Sequence, residues 1–416
     1  MEYSVYKPST GMWKALNVYC NRFQGHSMGE NDIRTGSLPL MLLSSSHGLN
    51  HLLQLILPTI LPSLIAEFQI SYYTAGLLVA SFVLPYSLAQ IPFGYLSDRK
   101  GHKNIMVAGL IIYSAGTLLC GMSQNVLQLG VAQFISGIGG ASYHPIGIPL
   151  IFLAVERRKL GESMGFHQTG GAIGSFVAPI ASAYFAVTFN WRYGFYIFSL
   201  IGMLIALLLW LGIEEPKTER KETSSSDIHK TLLNIKVLRL MLIIFCFGLV
   251  QVIAFRGLMP FLTTYLMKKH GVELGYGAQL LSLLQIMGIF GSPVFGRLSD
   301  IAGRRVMLCL LLVGQALLMY LVTFASANLL VIVLGAMGLV VFGCLAVTDT
   351  WVTEISDRSV LGTLVGVAMT ASFLSGAIVN PIVGYLADNV SFDFAFQLLS
   401  ILNLLGIPIL KFAEYK

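Results

Sequence analysis

The sequence predicts an all-α polytopic membrane protein with twelve transmembrane helices in two pseudo-symmetric six-helix bundles. Three observations carry that prediction. The 416 residues are 55% hydrophobic and only 11% charged, with a mean hydropathy of +0.75. A water-soluble domain carries roughly 25% charged residues, so too little polar surface remains to cover a soluble globule. The apolar residues fall in runs of about 20, the length that crosses a hydrocarbon core of ~30 Å as a helix. Finally, a polar turn is written twice: 94–104 reads GYLSDRKGHKN and 296–305 reads GRLSDIAGRR, each at the edge of an apolar run.

The elements follow in chain order. Residues 1–37 are polar to mixed, lack the run of a signal peptide, and are expected as a cytoplasmic tail; Met28 and Met41 are alternative starts. Six spans then fill an expected N-terminal bundle, 38–213: about 41–65, 72–96, 104–122, 126–153, 163–186 and 194–213. The stretch 214–237, EEPKTERKETSSSDIHKTLLNIKV, is the one long polar break and reads as a cytoplasmic linker. An expected C-terminal bundle, 238–416, holds spans at about 238–266, 276–299, 304–325, 328–353, 360–386 and 393–412, with a short tail.

Basic residues orient the chain, because cytoplasmic loops are enriched in Lys and Arg. With both termini inside, 22 of the 26 basic residues fall inside, Arg192, Lys268 and Lys269 fall outside, and Arg256 lies within a span. An inner (cell) membrane protein with cytoplasmic termini is therefore expected. The net charge of +6 is not a nucleic-acid signal, since the basic residues sit in short loops between apolar runs. Five cysteines, four of them in apolar runs, read as small buried hydrophobes, and no His/Cys set has metal-ligand spacing. No metal and no cofactor is expected.

The repeated turn points to an internal duplication. Gly94 and Gly296 are 202 positions apart, and the same offset carries Leu96, Ser97, Asp98 and Gly101 onto Leu298, Ser299, Asp300 and Gly303. It also carries Pro58 onto Pro260, Gly174 onto Gly376 and Pro179 onto Pro381. Parallel repeats of this kind are one plan of secondary transporters, in which two halves rock about a site between them.

The turn between the second and third spans resembles the signature loop of the major facilitator superfamily, and its echo lies between the eighth and ninth. The resemblance covers the chain from about residue 38. It implies the fold above and a gating role for Gly94, Asp98, Arg99, Gly101 and Lys103, with His102 as a variant. In the family the carboxylate pairs with basic residues and a helix end of the other half, latching one access state. The second copy keeps Gly296, Asp300, Gly303, Arg304 and Arg305 but has Ile301 where the first has Arg99, implying a weaker latch. The fifth span, GESMGFHQTGGAIGSFVAP, loosely resembles the family's antiporter motif. Its Gly170, Gly171 and Gly174, with Pro179, are expected to pack closely on the eighth span, and Gly376 and Pro381 are their repeat equivalents. The fourth span has Gln133 where family antiporters often carry a coupling Arg. ASYHP, GFHQTGG and SHGLNHLLQLILPTILP look like fosmidomycin-resistance-type transporters and related prokaryotic drug and organic-anion transporters.

Polar groups at membrane depth are costly and face the interior. Candidate substrate-binding residues are Asn50, His51 and Gln54 on the first span, Tyr143 and His144 on the fourth, Gln251 and Arg256 on the seventh and Gln285 on the eighth. Arg256 has three readings: an anion-binding fork in the cavity, a pair with Asp349, or a side chain snorkelling outward. His51, His144, His167 and Asp349 are candidate proton carriers, the imidazoles because they titrate near neutral pH, though an intramembrane His also serves as a packed hydrogen-bond donor. Glu67, Glu156 and Glu354 lie at span ends and read as solvated.

No phosphate-binding Gly-rich loop followed by Lys-Ser/Thr is present, and no nucleophile–base–acid set converges, so an enzyme is not expected. The sequence favours a monomeric secondary transporter working by alternating access, with a small-molecule substrate, protons and the lipid bilayer as partners. Proton-linked export of drugs or organic anions leads, uptake or exchange of a small carboxylate or phosphonate is the alternative, and a non-transporting sensor trails.

Overall fold

The computed structural model describes residues 37–155, 159–215, 235–356 and 361–412, so the expected tail, most of the linker, Glu156 and the last residues lie outside it. All regular structure among the described residues is helical. The first half contains α1 (Ser37–Phe68), α2 (Tyr72–Lys100), α3 (His102–Met122), α4 (Val126–Gly140), α5 (Tyr143–Ala154), α6 (Leu160–Thr188) and α7 (Trp191–Gly212). The second contains α8 (Ile235–Val250), α9 (Ile253–Leu258), a 3-10 turn (Met259–Phe261), α10 (Leu262–His270), α11 (Leu274–Ala302), α12 (Arg304–Val322), α13 (Ala327–Ile355), α14 (Leu361–Asn389), α15 (Phe392–Asn403) and α16 (Gly406–Phe412).

Ten of these segments are long and apolar enough to cross a membrane unbroken, α15–α16 counting as one. Two expected spans are broken. The seventh is α8 followed by α9–α10, bent by 43°. The fourth is α4 and α5, separated at Ala141–Ser142. Its sequence explains the interruption: Gly139-Gly140 weakens the end of α4, and Pro145 falls in the first turn of α5, where its missing N–H costs nothing.

The duplication is visible in the helix boundaries. Adding 202 to α2, 72–100, gives 274–302, the bounds of α11, and 102 becomes 304, the start of α12. Far from the signature turns, the two halves also carry the same tie with its charges exchanged. Arg192 pairs with Glu67 at 2.7 Å, Glu67 also accepts from the Trp191 indole at 2.5 Å, and Arg192 donates to the Ser123 carbonyl. In the second half Lys269 pairs with Asp393 at 2.7 Å, Asp393 accepts from the Tyr265 hydroxyl at 2.7 Å, and Lys269 donates to the Thr323 carbonyl. Lys269 is Glu67 plus 202 and Asp393 is Arg192 plus 201. Glu67 is thus paired as well as exposed at its span end. Such partly exposed pairs stabilise by at most about 1 kcal/mol each; their effect is to fix where three helix ends meet.

The contacts joining the halves concentrate at this same end. Both carboxylate oxygens of Asp388, at the end of α14, accept from the first backbone N–H groups of α2, Tyr72 at 3.0 Å and Tyr73 at 2.8 Å. Negative charge at a helix N-terminus is favoured both by orphan N–H groups and by the dipole. Nearby, Thr263 Oγ1 donates to the Pro58 carbonyl at 3.2 Å and Ser282 Oγ to the Phe176 carbonyl at 2.8 Å. Gly76 lets α14 approach α2: a Cβ there would lie 2.7 Å from the Asn380 carbonyl carbon and 2.9 Å from Pro381 Cα.

If Asp388 holds this end shut, Asp388→Ala should open it. A cysteine placed at Val83 is expected to react roughly tenfold faster with a membrane-impermeant maleimide applied from that face, the loss of about 1.5 kcal/mol of charge-assisted hydrogen bonding; an unchanged rate counts against the closure.

Candidate functional site

Three parts of the molecule bear on function: a cavity between the halves, a histidine cluster beside it, and the two signature turns. The cavity is small and is lined from both halves, by Gln54, Phe82 and Gln133 on one side and Arg256, Gly376 and Asn380 on the other. The broken seventh span places Arg256 in the last turn of α9, just before the 3-10 turn that carries Pro260. Discontinuous helices of this kind form the midplane sites of many transporters.

The Arg256 guanidinium stacks on Phe373, with Cζ 4.4 Å from the ring centroid, and its buried Nε has no hydrogen-bond partner among the described residues. Gly376 lies beside it, where a Cβ would meet Arg256 Cδ at an ordinary contact distance of 3.6 Å. Among the described residues no ion pair joins Arg256 to Asp349, which is exposed on α13 and absent from the cavity lining. Asn380 donates to the Gly376 carbonyl at 2.6 Å, and its buried Oδ1 is left without a partner. This amide was missed in the sequence, although a polar residue before Pro381 within an apolar span is a readable signal.

Asn50 does structural work instead of lining the cavity. It is buried, donates to the Gly140 carbonyl at 3.0 Å and accepts from the Tyr86 hydroxyl at 3.0 Å, while its own carbonyl accepts from the Tyr113 hydroxyl at 3.1 Å. It therefore satisfies a carbonyl that the α4–α5 break frees. Gln251, at the break between α8 and α9, is likewise consumed: it is buried and accepts from the Thr348 hydroxyl at 2.5 Å. Gln285 is buried in α11 with its Oε1 unpartnered. Gln133 donates to Cys120 Sγ at 3.3 Å.

The histidines gather from three helices. His47 and His51 are one turn apart on α1, His144 is in the first turn of α5, and His167 is on α6. The rings of His47 and His167 stack at 4.2 Å, and His144 lies edge-on to His47 at 5.6 Å and to His51 at 5.8 Å. His47 Nδ1 is 3.0 Å from the His167 carbonyl, and its Nε2 is 3.1 Å from His51 Nε2. A carbonyl can only accept, so Nδ1 of His47 carries a proton and the neutral ring offers Nε2 as an acceptor to His51. One added proton can then be shared between the two rings. Tyr143 donates to the Leu43 carbonyl at 2.6 Å and stacks on His47. Phe373 links this cluster to Arg256, lying 6.4 Å from His144 between ring centroids. His47 was missed in the sequence because only the residues from Asn50 onward were singled out, yet it precedes His51 by four, on the same face.

The glycines of α6 make this arrangement possible, but by packing on α1, which corrects the expectation that they face the eighth span. Cβ atoms at Gly170 and Gly174 would collide with the backbone of Ser44 and Gly48, and one at Gly171 would lie 2.6 Å from His47 Cε1. The helix meets α11 elsewhere, through Phe176 and through Ala183 against Leu274 and Ala278. Pro179 is buried within α6.

At the signature turns, Gly101 (φ +100°) and Gly303 (φ +87°) take backbone angles that favour glycine. Glu215 caps the first turn: its carboxylate accepts from the backbone N–H of His102 at 2.7 Å and of Lys103 at 3.0 Å. Arg99 stacks on Tyr95 at 4.3 Å, Gly94 faces Pro145, and the Asp98 side chain lies outside the described residues. In the second turn Arg304 pairs with Asp300 at 2.5 Å and with Glu354 on α13 at 3.0 Å, and donates to Ser299 Oγ and the Gly296 carbonyl. Glu354 is thus bound and not merely solvated. Both of Arg304's acidic partners belong to its own half, and Arg305 follows in the first turn of α12.

Asn50→Ala would leave the Tyr86 hydroxyl and the Gly140 carbonyl unpaired, and is expected to destabilise the detergent-purified protein by about 1–3 kcal/mol, read as a lower Tm; Gly171→Ala, by displacing the His47 ring, should also lower it.

Comparison with known proteins agrees with this architecture. The family model for the Major Facilitator Superfamily matches residues 43–305 and 244–415. The cis,cis-muconate transport protein of Acinetobacter baylyi is 26% identical over 354 residues, 81% of this chain and 84% of that protein. The multidrug resistance protein MdtG of Salmonella typhi is 27% identical over 253 residues, 60% and 62% of the two chains. Among solved structures, a D-xylose-proton symporter superposes with a TM-score of 0.74 at 15% identity over 90% of this chain and 97% of that one. A bacterial homologue of the human lysosomal transporter Spinster, inward-facing and unoccupied, gives 0.70 at 19% over 92% and 96%. With its duplicated six-helix halves, signature turns and cavity between the halves, the chain belongs to the Major Facilitator Superfamily and is a secondary transmembrane transporter of small molecules.

Proposed function

We propose that this transporter moves small organic anions, held at Arg256, and couples their movement to protons through the imidazoles of His47, His51 and His144. The observation that carries the reading is the Arg256 guanidinium in the cavity between the halves, with a buried Nε that no described acid or carbonyl satisfies. An uncompensated cation at membrane depth is costly, and an anionic substrate would neutralise it. The similarity to a muconate transport protein, named for a dicarboxylate, supports this substrate class. With one half closing on the other at the Asp388 end, the substrate would enter and leave by rocking of the halves around the cavity. The chain would act as a monomer in the inner membrane with its termini in the cytoplasm, without enzymatic activity.

Export of lipophilic drugs is the second reading. It is favoured by the apolar part of the lining, Leu57, Val79 and Met259 among it, and by the similarity to multidrug resistance proteins.

Reconstituted into proteoliposomes, the protein should drive uptake of a labelled small dicarboxylate under an imposed pH gradient. Arg256→Ala should cut that flux roughly 10- to 100-fold, the value of about 1.5–3 kcal/mol for a hydrogen bond to a charged group, and Arg256→Lys should recover only part of it. Anion flux untouched by Arg256→Ala, or flux of lipophilic cations alone, would reject the anion reading.

A further inference from the structure

We infer that His47, His51 and His144 form a binding site for a divalent transition-metal ion of the zinc class. The site uses the three imidazoles to which proton coupling is assigned above, but the inference concerns metal binding alone and is read by binding, so it stands or falls separately from transport. The three side chains come from α1 and α5, and one ring nitrogen from each lies within 4.8 Å of the other two. In a tetrahedral zinc site with Zn–N of about 2.0–2.1 Å, neighbouring nitrogens stand roughly 3.3 Å apart. His47 Nε2 and His51 Nε2 are already at 3.1 Å, so it is His144 that must move inward, by up to roughly 1.5 Å.

The surroundings match what a metal-bound imidazole requires. The second ring nitrogen of a ligating His normally donates to a carbonyl or carboxylate, which fixes the tautomer and aims the lone pair. His47 has that support: Nδ1 donates to the His167 carbonyl at 3.0 Å and leaves Nε2 facing the other two rings. The His47 ring is further held between Tyr143, stacked at 5.2 Å, and His167, stacked at 4.2 Å. Gly171 keeps the space it occupies. On metal binding, His51 would shift its proton to its other ring nitrogen and present a lone pair in place of the hydrogen bond it gives His47. His47 is buried, whereas His51 and His144 are only partly so. Neutral imidazoles suit zinc, nickel, cobalt and copper and not calcium or magnesium, which require oxygen ligands. Three histidines leave a fourth position for water or an anionic oxygen, the pattern of an open zinc site.

The test is titration of the full-length, detergent-purified protein with Zn2+ alone by isothermal calorimetry, in a chelator-washed preparation. The wild type should bind one ion. A control, His26→Gln/His102→Gln/His229→Gln/His270→Gln, should bind it with the same Kd. His51→Gln and His144→Gln should each weaken binding at least tenfold while keeping the wild-type elution profile. Should either variant fail to fold, Co2+ added to the wild type decides, since a tetrahedral nitrogen site gives an intense visible band and an octahedral aqueous one does not. No Zn2+ bound by the wild type, binding abolished in the control, unchanged affinity in the folded His51→Gln and His144→Gln variants, or a weak octahedral cobalt spectrum would each overturn the site.

Discussion

Inside a bilayer a polar group can find a partner only within the protein, and the rest of this structure follows from how its buried polar groups are paired. Asn50 is the clearest case. One amide binds the carbonyl freed by the α4–α5 break and the hydroxyl of Tyr86, while its backbone takes the hydroxyl of Tyr113. Four helices are thereby tied at one depth. In the second half, where α8 gives way to α9, Gln251 makes a single tie by accepting from Thr348 on α13. Each broken span thus has an amide beside its break, and the breaks carry the residues that face the cavity and the histidine cluster.

Against this background of satisfied groups, the unsatisfied ones are informative. Arg256 Nε, Asn380 Oδ1 and Gln285 Oε1 are buried without partners among the described residues, and two of the three residues line the cavity. A donor and an acceptor on the same wall of one small space, both beside Gly376, give a substrate with a carboxylate and a second polar group something to bind. The histidine cluster lies one aromatic ring away, at Phe373. That adjacency is what lets charge on the imidazoles and charge on Arg256 bear on one another, the minimum requirement for coupling two ligands.

Movement of the halves is constrained unequally. At one end Asp388 reaches across to cap α2, while the ties of Glu67 to Arg192 and Lys269 to Asp393 stay within their own halves. The signature turns at the other end are likewise held from within: Glu215 caps α3, and Arg304 gathers Asp300 and Glu354. Halves that pack along α2 against α14 and α6 against α11, with small residues such as Gly76 and Gly384 at the contact, suit a rigid-body rocking motion about that seam.

The sequence by itself determined the helical membrane class, the duplication with its 202-residue offset, and the place of Arg256 within a span. These are properties of composition and local periodicity, which the hydrocarbon core dictates residue by residue. It did not determine who meets whom. Asn50 and Gln251 looked like ligands and are engaged within the protein, because their partners, the Gly140 carbonyl and the Thr348 hydroxyl, belong to helices distant in the chain. The α6 glycines looked set to meet the eighth span and instead meet α1, where they make room for His47. His47 itself gained meaning only when α5 and α6 brought His144 and His167 to it. Helix-to-helix register depends on side-chain packing summed over whole faces, and that sum exists only once the bundle has formed.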